Sequence, residues 1–272
     1  MRVAAVGDNC IDYYPKLGRW YPTGNCVDFA VNLAQMGVEV GLVSITGSDM
    51  YGDSIFDLLR DKNVEATHLH RGKGDTAMAK MDLVGESGKD RLHVSFDDGV
   101  LTGLELTDDD MEYISGFDIV HSLSNGFVND RIPEIKAMGK TIVYDFSQNW
   151  DFEGVEKVIP CIDYGFFSYK QEDGFILDYI KRMHESGMGT AIATLGDNGS
   201  VAYDGKAYVR YGCSPIKELV NTVGAGDSYI AGFTYGIING FTLQDCMKKG
   251  AEVAAEIVQV FEPYKDYHPM KA

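Results

Sequence analysis

The chain has 272 residues and 45% of them are hydrophobic, which suits one large domain with a substantial buried core. Its 24 lysines and arginines are outnumbered by 41 aspartates and glutamates, so the formal net charge is −17. Nucleic acids and anionic membranes attract basic surfaces, and we therefore expect neither as a partner. A phosphorylated small molecule stays compatible, because a helix N-terminus can hold an anion within a negative overall field.

The cysteines and the apolar runs predict a cytoplasmic protein. Five scattered cysteines contain no C-x-x-C pair, which argues against a disulfide framework or a zinc cluster and fits a reducing compartment. The chain turns acidic at Asp8, too early for a secretory signal peptide. No apolar run approaches the roughly 18 residues that a membrane-spanning helix needs.

The first part of the chain predicts alternating strands and helices. In order, these are strands at 2–6 and 11–14, a helix from 24 to 36, a strand at 39–45 and a helix after the turn at 47–52. Such alternation is typical of a parallel sheet covered by helices. Three polar residues, Asp8, Asn9 and Asp12, follow the first strand, and α/β sheets bind ligands at the carboxyl ends of their strands. Each is a candidate for substrate contact, although each also suits a turn.

Residues 66–97 differ from this pattern. Short runs at 77–84 and 91–96 are separated by a polar, glycine-containing segment, which predicts a small antiparallel element that covers the site as a lid. His68 and His70 alternate as on one strand face, so a metal pair is conceivable. Without a third ligand in the pattern, we interpret them as surface residues.

The second part of the chain resumes the alternation. The strands are predicted at 118–121, 141–145, 163–168, 190–195 and 200–204, and the helices from 107 and near 129–138, 174–186 and 243–260. Thr107 is a good helix cap, and we interpret the three aspartates after it as a solvent-exposed first turn. The turn at 194–200 carries two glycines, so its backbone could approach a nucleotide; a hairpin turn is the alternative.

The stretch at 221–228 carries the strongest chemical signal. Three small residues at 224–226 precede Asp227, and an apolar run at 229–238 follows. This pattern predicts a tight loop feeding a helix, whose first N–H groups have no internal partner and attract a phosphate. Asp227 then is either the helix cap or a general base, and the spacing alone leaves both open.

Several common motifs are absent from the sequence. It has no G-x-x-x-x-G-K-[ST], no G-x-G-x-x-G after the first strand, no G-x-S-x-G and no H-E-x-x-H. An oxidoreductase with a dinucleotide site is therefore not expected.

A carboxyl-terminal signature extends from Asn221-Thr222-Val223-Gly224-Ala225-Gly226-Asp227 to Ala231-Gly232-Phe233. It resembles that of the ribokinase-like (PfkB) carbohydrate kinases, and the resemblance spans nearly the whole chain. Four further family features occur in the same order: Gly7 to Asp12, Gly24-Asn25 to Asp28, Gly47-x-Asp49-x-x-Gly52 and Thr194-x-Gly196-x-x-Gly199. Within the family, the runs at 7–12, 144–147 and 171–173 look most like the kinases of fructoselysine.

The resemblance implies a single α/β domain over residues 1–272, a ribokinase-like three-layer α/β/α sandwich with a mainly parallel central sheet and small β lid segments near 12–23 and 66–98. It implies ATP-dependent phosphorylation of a sugar hydroxyl, expected to be the 6-hydroxyl of fructoselysine or a similar ketose-amine. ATP and Mg²⁺ are the implied cofactors, and the family often uses a monovalent cation such as K⁺. An exposed lid edge adds the expectation of a homodimer through the lid.

Residue roles are implied by the matching positions. Asp227 matches the general base, and Gly224, Ala225 and Gly226 match the loop that faces the transferred phosphoryl group. The residues expected to bind the sugar are Asp8, Asn9, Asp12, Gly24, Asn25 and Asp28. Arg91 lies in the lid-like region and could reach the substrate or its phosphate, with a surface role as the alternative. Those expected to bind the nucleotide are Thr194, Gly196, Gly199 and Thr222, and Glu172 is expected to act on Mg²⁺ through water.

Two positions depart from the family pattern. Asp28 stands where the family usually has asparagine, and it could accept an amine or further hydroxyls. Tyr169 replaces the asparagine three residues before Glu172, so the motif next to the metal is incomplete. The alternatives are another sugar or nucleoside kinase of the family, ribokinase- or fructokinase-like, and a non-catalytic sugar or nucleotide sensor on the same fold. A pure sensor has no need of a base at Asp227.

Overall fold

The computed structural model describes residues 1–84, 90–150 and 155–267. The strands are β1 (Val3–Val6), β2 (Cys10–Tyr14), β3 (Arg19–Thr23), β4 (Val40–Thr46), β5 (Glu65–Arg71), β6 (Met78–Val84), β7 (Asp90–Asp97), β8 (Ile119–Leu123), β9 (Thr141–Ser147), β10 (Tyr164–Ser168), β11 (Thr190–Thr194), β12 (Ser200–Tyr203) and β13 (Tyr208–Tyr211). The α-helices are α1 (Asn25–Gln35), α2 (Met50–Asp61), α3 (Asp108–Ser115), α4 (Ile132–Ala137), α5 (Val155–Val158), α6 (Gly174–Glu185), α7 (Ala225–Ile238) and α8 (Leu243–Ile257).

The larger sheet has nine strands in the order β13-β12-β11-β10-β9-β8-β1-β4-β5. From β11 to β5 all neighbours pair in parallel, whereas β12 and β13 add antiparallel pairs at one edge. All four residues of β1 are buried, as expected for a parallel strand that is covered on both faces. The parallel register brings the carboxyl ends of these strands to one edge, where the polar residues after β1 also lie.

Helices cover both faces of this sheet and create two apolar cores. Side chains of α1, α7 and α8 pack with Val3, Ala5 and Leu42 on one face. Side chains of α3, α4 and α6 pack with alternating neighbours of the same strands, including Ala4 and Val43, on the other. The expected three-layer α/β/α sandwich is therefore confirmed. Within the described ranges, no helix combines the length and the apolar character needed to cross a bilayer.

A smaller sheet has four strands in the order β3-β2-β6-β7. The antiparallel pairing of β6 and β7 matches the element predicted at 77–97, whereas residues 85–89 lie outside the described part of the chain. The expectation for residues 66–71 was wrong, because β5 pairs in parallel with β4 in the larger sheet. This edge strand is rich in charged and histidine side chains, so it lacks the apolar run that identifies the inner strands.

Side-chain caps explain where most of the longer helices begin. The first turns of α2, α3, α6 and α8 are capped by Asp49, Thr107, Asp173 and Thr242, each accepting a hydrogen bond from a backbone N–H three residues ahead. At α3 the cap is a reciprocal capping box, in which Asp110 also accepts from the backbone N–H of Thr107. Our expectation of a fully solvent-exposed acidic turn was wrong for Asp110, which is buried.

Candidate active site

A cleft between the two sheets and the start of α7 gathers much of the predicted site. Its wall includes the predicted substrate residues Asp8, Asp12, Gly24, Asn25 and Asp28 together with Gly224 and Asp227. The remaining lining residues are Cys10, Thr23, Ala79, His93, Phe96 and Val223. The smaller sheet therefore forms one side of the cleft, through residues of all four of its strands, and the start of α7 forms another.

The N-terminus of α1 is fixed by the segment that follows β1. The two carboxylate oxygens of Asp8 accept the backbone N–H groups of Asn25 at 3.1 Å and Cys26 at 2.9 Å. Burial is the main cause that raises the pKa of Asp8, and these two hydrogen bonds oppose it. Gly24 has φ +123°, and a Cβ there would clash with the backbone of Asn9. The site thus needs glycine at this position for both conformation and space.

Asn25 is oriented by a carboxylate from another strand. Its Nδ2 donates to Oδ2 of Asp145 at 3.2 Å, at the carboxyl end of β9. The same Asp145 carboxylate accepts from the backbone N–H and the hydroxyl of Ser147. Asp145 therefore positions Asn25 from behind the cleft wall, and no local sequence pattern links the two residues.

Asp12 and Asp28 add two buried carboxylates to the cleft. The hydroxyl of Tyr21 donates to Asp12 at 3.3 Å, and the hydroxyl of Thr23 donates to Oδ2 of Asp28 at 2.7 Å. The second oxygen of Asp28, Oδ1, is buried without a hydrogen-bond partner. Burial, followed by the negative charge of Asp227, raises the pKa of Asp28 well above its usual range. An acceptor in this state is suited to a hydrogen-bond donor or a cation brought by a ligand.

Asp227 lies in the first turn of α7, whose N-cap residue Gly224 has no side chain to act as a cap. The turn is entered through Gly224 with φ +72°, where a Cβ would clash with Pro263. At Gly226, by contrast, a Cβ would meet no heavy atom within 4 Å, so open space adjoins the first turn. Backbone N–H groups of a first helical turn have no intrahelical acceptor, and this space gives an anion access to them.

Three of the four residues predicted to bind the nucleotide lie apart from the cleft wall, at the carboxyl end of β11, whereas Thr222 directly precedes the cleft residue Val223. Thr194 ends the strand, and Gly196 and Gly199 have φ +60° and +84° in the turn that follows. This turn is tied to α7 by a 2.8 Å hydrogen bond between the hydroxyls of Ser200 and Tyr229. The carbonyl of Thr222 accepts from Ala225 N–H at 3.3 Å and so helps to shape the loop before α7.

Three other predicted site residues have different surroundings. Asn9 is buried behind the cleft, where its Nδ2 donates to the hydroxyl of Ser44 at 2.7 Å. Both carboxylate oxygens of Glu172 accept from Arg210 at 2.7–3.0 Å. The backbone of Arg91 belongs to β7, and its side chain lies outside the described part of the structure.

Several residues of the cleft wall were missed by sequence reasoning. The hydroxyl of Thr23 donates to Asp28. Its place directly before Gly24, in a motif that was recognised, was the only sequence feature that could have indicated a role in the site. His93 and Phe96 reach the cleft from β7. Nothing in their local sequence indicated this, because they contribute through the pairing of distant strands.

Known proteins resemble this chain over almost its whole length. The family described as pfkB family carbohydrate kinase matches residues 21–268. The chain is 35% identical over 257 residues to the fructoselysine 6-kinase of Shigella flexneri, which covers 94% of this chain and 97% of that protein. It is 28% identical over 277 residues to the fructosamine kinase FrlD of Bacillus subtilis, with 100% and 95% coverage.

The fold is also similar to that of solved structures. The ribokinase of Arabidopsis thaliana, complexed with ribose and ATP, superposes with a TM-score of 0.83 over 95% of this chain and 93% of that chain. At 19% sequence identity this similarity concerns the fold, which is ribokinase-like.

Proposed function

Since this chain belongs to the pfkB family of carbohydrate kinases and is an ATP-dependent sugar kinase, we propose that it phosphorylates the 6-hydroxyl of fructoselysine or a similar ketose-amine, with Asp227 as the general base. The observation that carries the proposal is the position of Asp227. Its carboxylate lies on the cleft wall and in the first turn of α7, next to the open space at the start of that helix. A base and an anion site are thereby adjacent.

In the proposed reaction, Asp227 accepts the proton of the attacking hydroxyl while that oxygen forms its bond to the γ-phosphorus of ATP. The bond from the γ-phosphorus to the bridging oxygen breaks, and ADP leaves with the electron pair. The backbone N–H groups at 224–226 stabilise the charge on the transferred group, and that of Ala225 first releases the carbonyl of Thr222, to which it donates at 3.3 Å. Bound Mg²⁺ supplies charge neutralisation at the phosphates.

The substrate side of the proposal rests on the carboxylates of the cleft. A ketose-amine has hydroxyl groups and a secondary amine that is cationic at neutral pH. Asp12 accepts sugar hydroxyls, while Asn25 and Gly24 shape the wall against which the sugar lies. The unpartnered Oδ1 of Asp28 supports a role as acceptor for the amine or an adjacent hydroxyl. A neutral sugar offers no cation to compensate this cluster of acids.

The nucleotide side involves the turn after β11. Thr194, Gly196 and Gly199 would adjoin the nucleotide, and Thr222 would support the phosphate loop. Glu172 acts on Mg²⁺ through water only if its ion pair with Arg210 opens or rearranges. A monovalent cation such as K⁺ near the loop is part of the proposal through the family resemblance, and replacing K⁺ by a bulky organic cation in the assay tests it.

The smaller sheet is proposed to act as a lid and as a contact between two copies of the chain. Its edge strand β7 exposes Leu92, Val94 and Phe96, and an unpaired edge with apolar side chains favours association. Arg91 on the same strand is proposed to reach the substrate. Light scattering after gel filtration, compared between the wild type and Val94→Lys, tests the dimer. The chain is proposed to act in the cytoplasm, in keeping with its five free cysteines.

A substrate panel tests the function directly. We expect ATP consumption with fructoselysine and related ketose-amines, and little with ribose, fructose or adenosine. Carbon–phosphorus coupling in the NMR spectrum of the product locates the phosphate, which we expect on the 6-oxygen. Turnover of ribose or adenosine without fructoselysine would indicate another kinase of the family. Binding of ATP and sugar without any turnover would indicate a sensor and would reject Asp227 as a base.

A further inference from the structure

Three potential metal ligands converge on one point away from the kinase cleft. His68 Nδ1 lies 2.8 Å and His70 Nε2 lies 2.7 Å from the same oxygen, Oδ1 of Asp110. The histidines are on β5 and the aspartate is in the first turn of α3. The three ligand atoms lie within 4.8 Å of one another.

The cluster is on the opposite face of the larger sheet from α1 and α7. His68 pairs in register with Val43, whose side chain packs in the core beneath α3. The helices α1 and α7, which carry Asp28 and Asp227, cover the other face. The cluster therefore shares no residue with the wall of the kinase cleft and lies on the other face of the sheet.

Asp110 is oriented by contacts outside the cluster. Its Oδ2 accepts from the backbone N–H of Thr107 at 2.9 Å and from the Thr107 hydroxyl at 2.7 Å. Oδ1 is thereby directed at the two imidazoles. On the strand side, the ring of His68 stacks on Tyr113 with centroids 3.9 Å apart. Ligands held in this way by surrounding hydrogen bonds and packing are characteristic of protein metal sites.

The exposure of the three side chains leaves room for a further ligand. Asp110 is fully buried, His68 is 14% exposed and His70 is 40% exposed. An ion could therefore enter from solvent past His70 and complete its coordination with water. Ligand atoms around a tetrahedral zinc ion are roughly 3.3 Å apart for bonds of about 2.0–2.1 Å. Binding would therefore move each imidazole nitrogen about half an ångström away from Oδ1 of Asp110.

We propose that His68, His70 and Asp110 form a binding site for a borderline divalent transition-metal ion such as Zn²⁺. Two imidazoles and one carboxylate suit zinc and its neighbours, whereas Mg²⁺ prefers oxygen ligands. The site therefore discriminates against the metal that accompanies ATP. A bound ion would link α3 to β5, the edge strand of the larger sheet that is six positions from β11. Because the ion binds the folded chain, it would stabilise the fold.

Cobalt absorption spectroscopy on the chelator-treated full chain tests the proposal, since Co²⁺ reports its ligands and replaces Zn²⁺ in such sites. We expect visible d–d absorption that saturates with a single equivalent of Co²⁺, survives excess Mg²⁺ and disappears on adding Zn²⁺. His70→Gln keeps an N–H donor for Asp110 but removes the imidazole, and we expect it to weaken Co²⁺ binding by at least about tenfold. Asp109→Asn, an exposed change on the same helical turn, should leave the spectrum unchanged.

A thermal unfolding series complements the spectra. Zn²⁺ should raise the unfolding midpoint of the wild type and of Asp109→Asn, and it should raise that of His70→Gln much less. The proposal is overturned if the wild type gives no Co²⁺ spectrum, or if His70→Gln binds Co²⁺ as tightly as the wild type. Either result means that the three side chains form a hydrogen-bonded link between β5 and α3 only.

Discussion

Two helices, α1 and α7, begin at the cleft, and the hydrogen bonding of their first backbone N–H groups differs. Both α1 and α7 are entered through a glycine with positive φ, Gly24 and Gly224, packed against neighbouring backbone or proline. At α1 the carboxylate of Asp8 accepts two of the first N–H groups. At α7 the N-cap residue is Gly224, which has no side chain to cap the first turn. The same glycine entry is therefore followed by a side-chain cap that holds α1 in place, whereas at α7 it leaves the first N–H groups accessible to an anion.

The acids of the two helices differ in the same way. Both carboxylate oxygens of Asp8 accept hydrogen bonds from the backbone of α1, so its capacity to accept further hydrogen bonds or a proton from a substrate is small. Asp227 belongs to the open helix and lies on the cleft wall, where a substrate hydroxyl could reach it. This contrast predicts that changes at α7 affect turnover, whereas changes at the cap of α1 affect mainly the stability of the fold.

The largest effect is expected for Asp227→Asn. The amide cannot accept the proton of the substrate hydroxyl, so kcat should fall at least about 100-fold, while the KM for ATP changes little. Steady-state kinetics with the ketose-amine measures both. The exposed Asp109→Asn removes the same charge elsewhere and should retain wild-type kinetics. A near-normal kcat for Asp227→Asn would show that Asp227 is not the general base.

A second large effect is expected for Gly224→Ala. An alanine at φ +72° is strained by about 1–2 kcal/mol, and its Cβ would also clash with Pro263, so we expect a loss of roughly 2 kcal/mol or more in unfolding free energy. Activity should fall as well, because the start of α7 must shift. Urea unfolding and kcat/KM report the two losses.

Gly226→Ala is the matched control for Gly224→Ala. It adds the same methyl group two residues further along the chain, at a position where a Cβ meets no heavy atom within 4 Å. Its stability should be equal to or above that of the wild type. Equal destabilisation by the two alanines would show that the entrance to α7 does not depend on the special conformation at Gly224.

Asp8→Ala removes the closure of α1 and should cost about 1–2 kcal/mol in stability, the usual range for a lost helix cap. Thr242→Ala removes the cap of α8 and should cost about 1 kcal/mol. Only Asp8→Ala should also raise the KM for the sugar, because Asp8 holds the helix that carries Asn25 and Asp28. If both variants leave the KM unchanged, Asp8 is a cap and nothing more.

Much of this arrangement was predictable because its signals are local. The periodicity at 24–36 gave α1, and the small residues before Asp227 gave the open start of α7. The contact between Asp145 and Asn25 spans 120 positions and leaves no such pattern. The burial of Asp110 was hidden in the same way, since an acidic helix start looks solvent-exposed until two histidines from an edge strand are placed against it.

The smallest and most specific effect concerns the pH dependence at Asp28. Its pKa in the folded chain is raised above the ordinary 3.8, first by burial and then by the charge of Asp227. The folded state therefore holds this proton more tightly than the unfolded state, and stability from this group is lost as pH rises from 3.8 through the raised folded pKa. Asp28→Asn removes that loss, so its unfolding midpoint should exceed that of the wild type at neutral pH, and by less in acid. Thermal scans across pH, with Asp109→Asn as the control, measure the difference.

With the ketose-amine bound, the order of the two unfolding midpoints should reverse, because only the wild type then pairs a carboxylate with the amine. A variant of Asp28 that the substrate stabilises as strongly as the wild type would assign the amine to another carboxylate of the cleft.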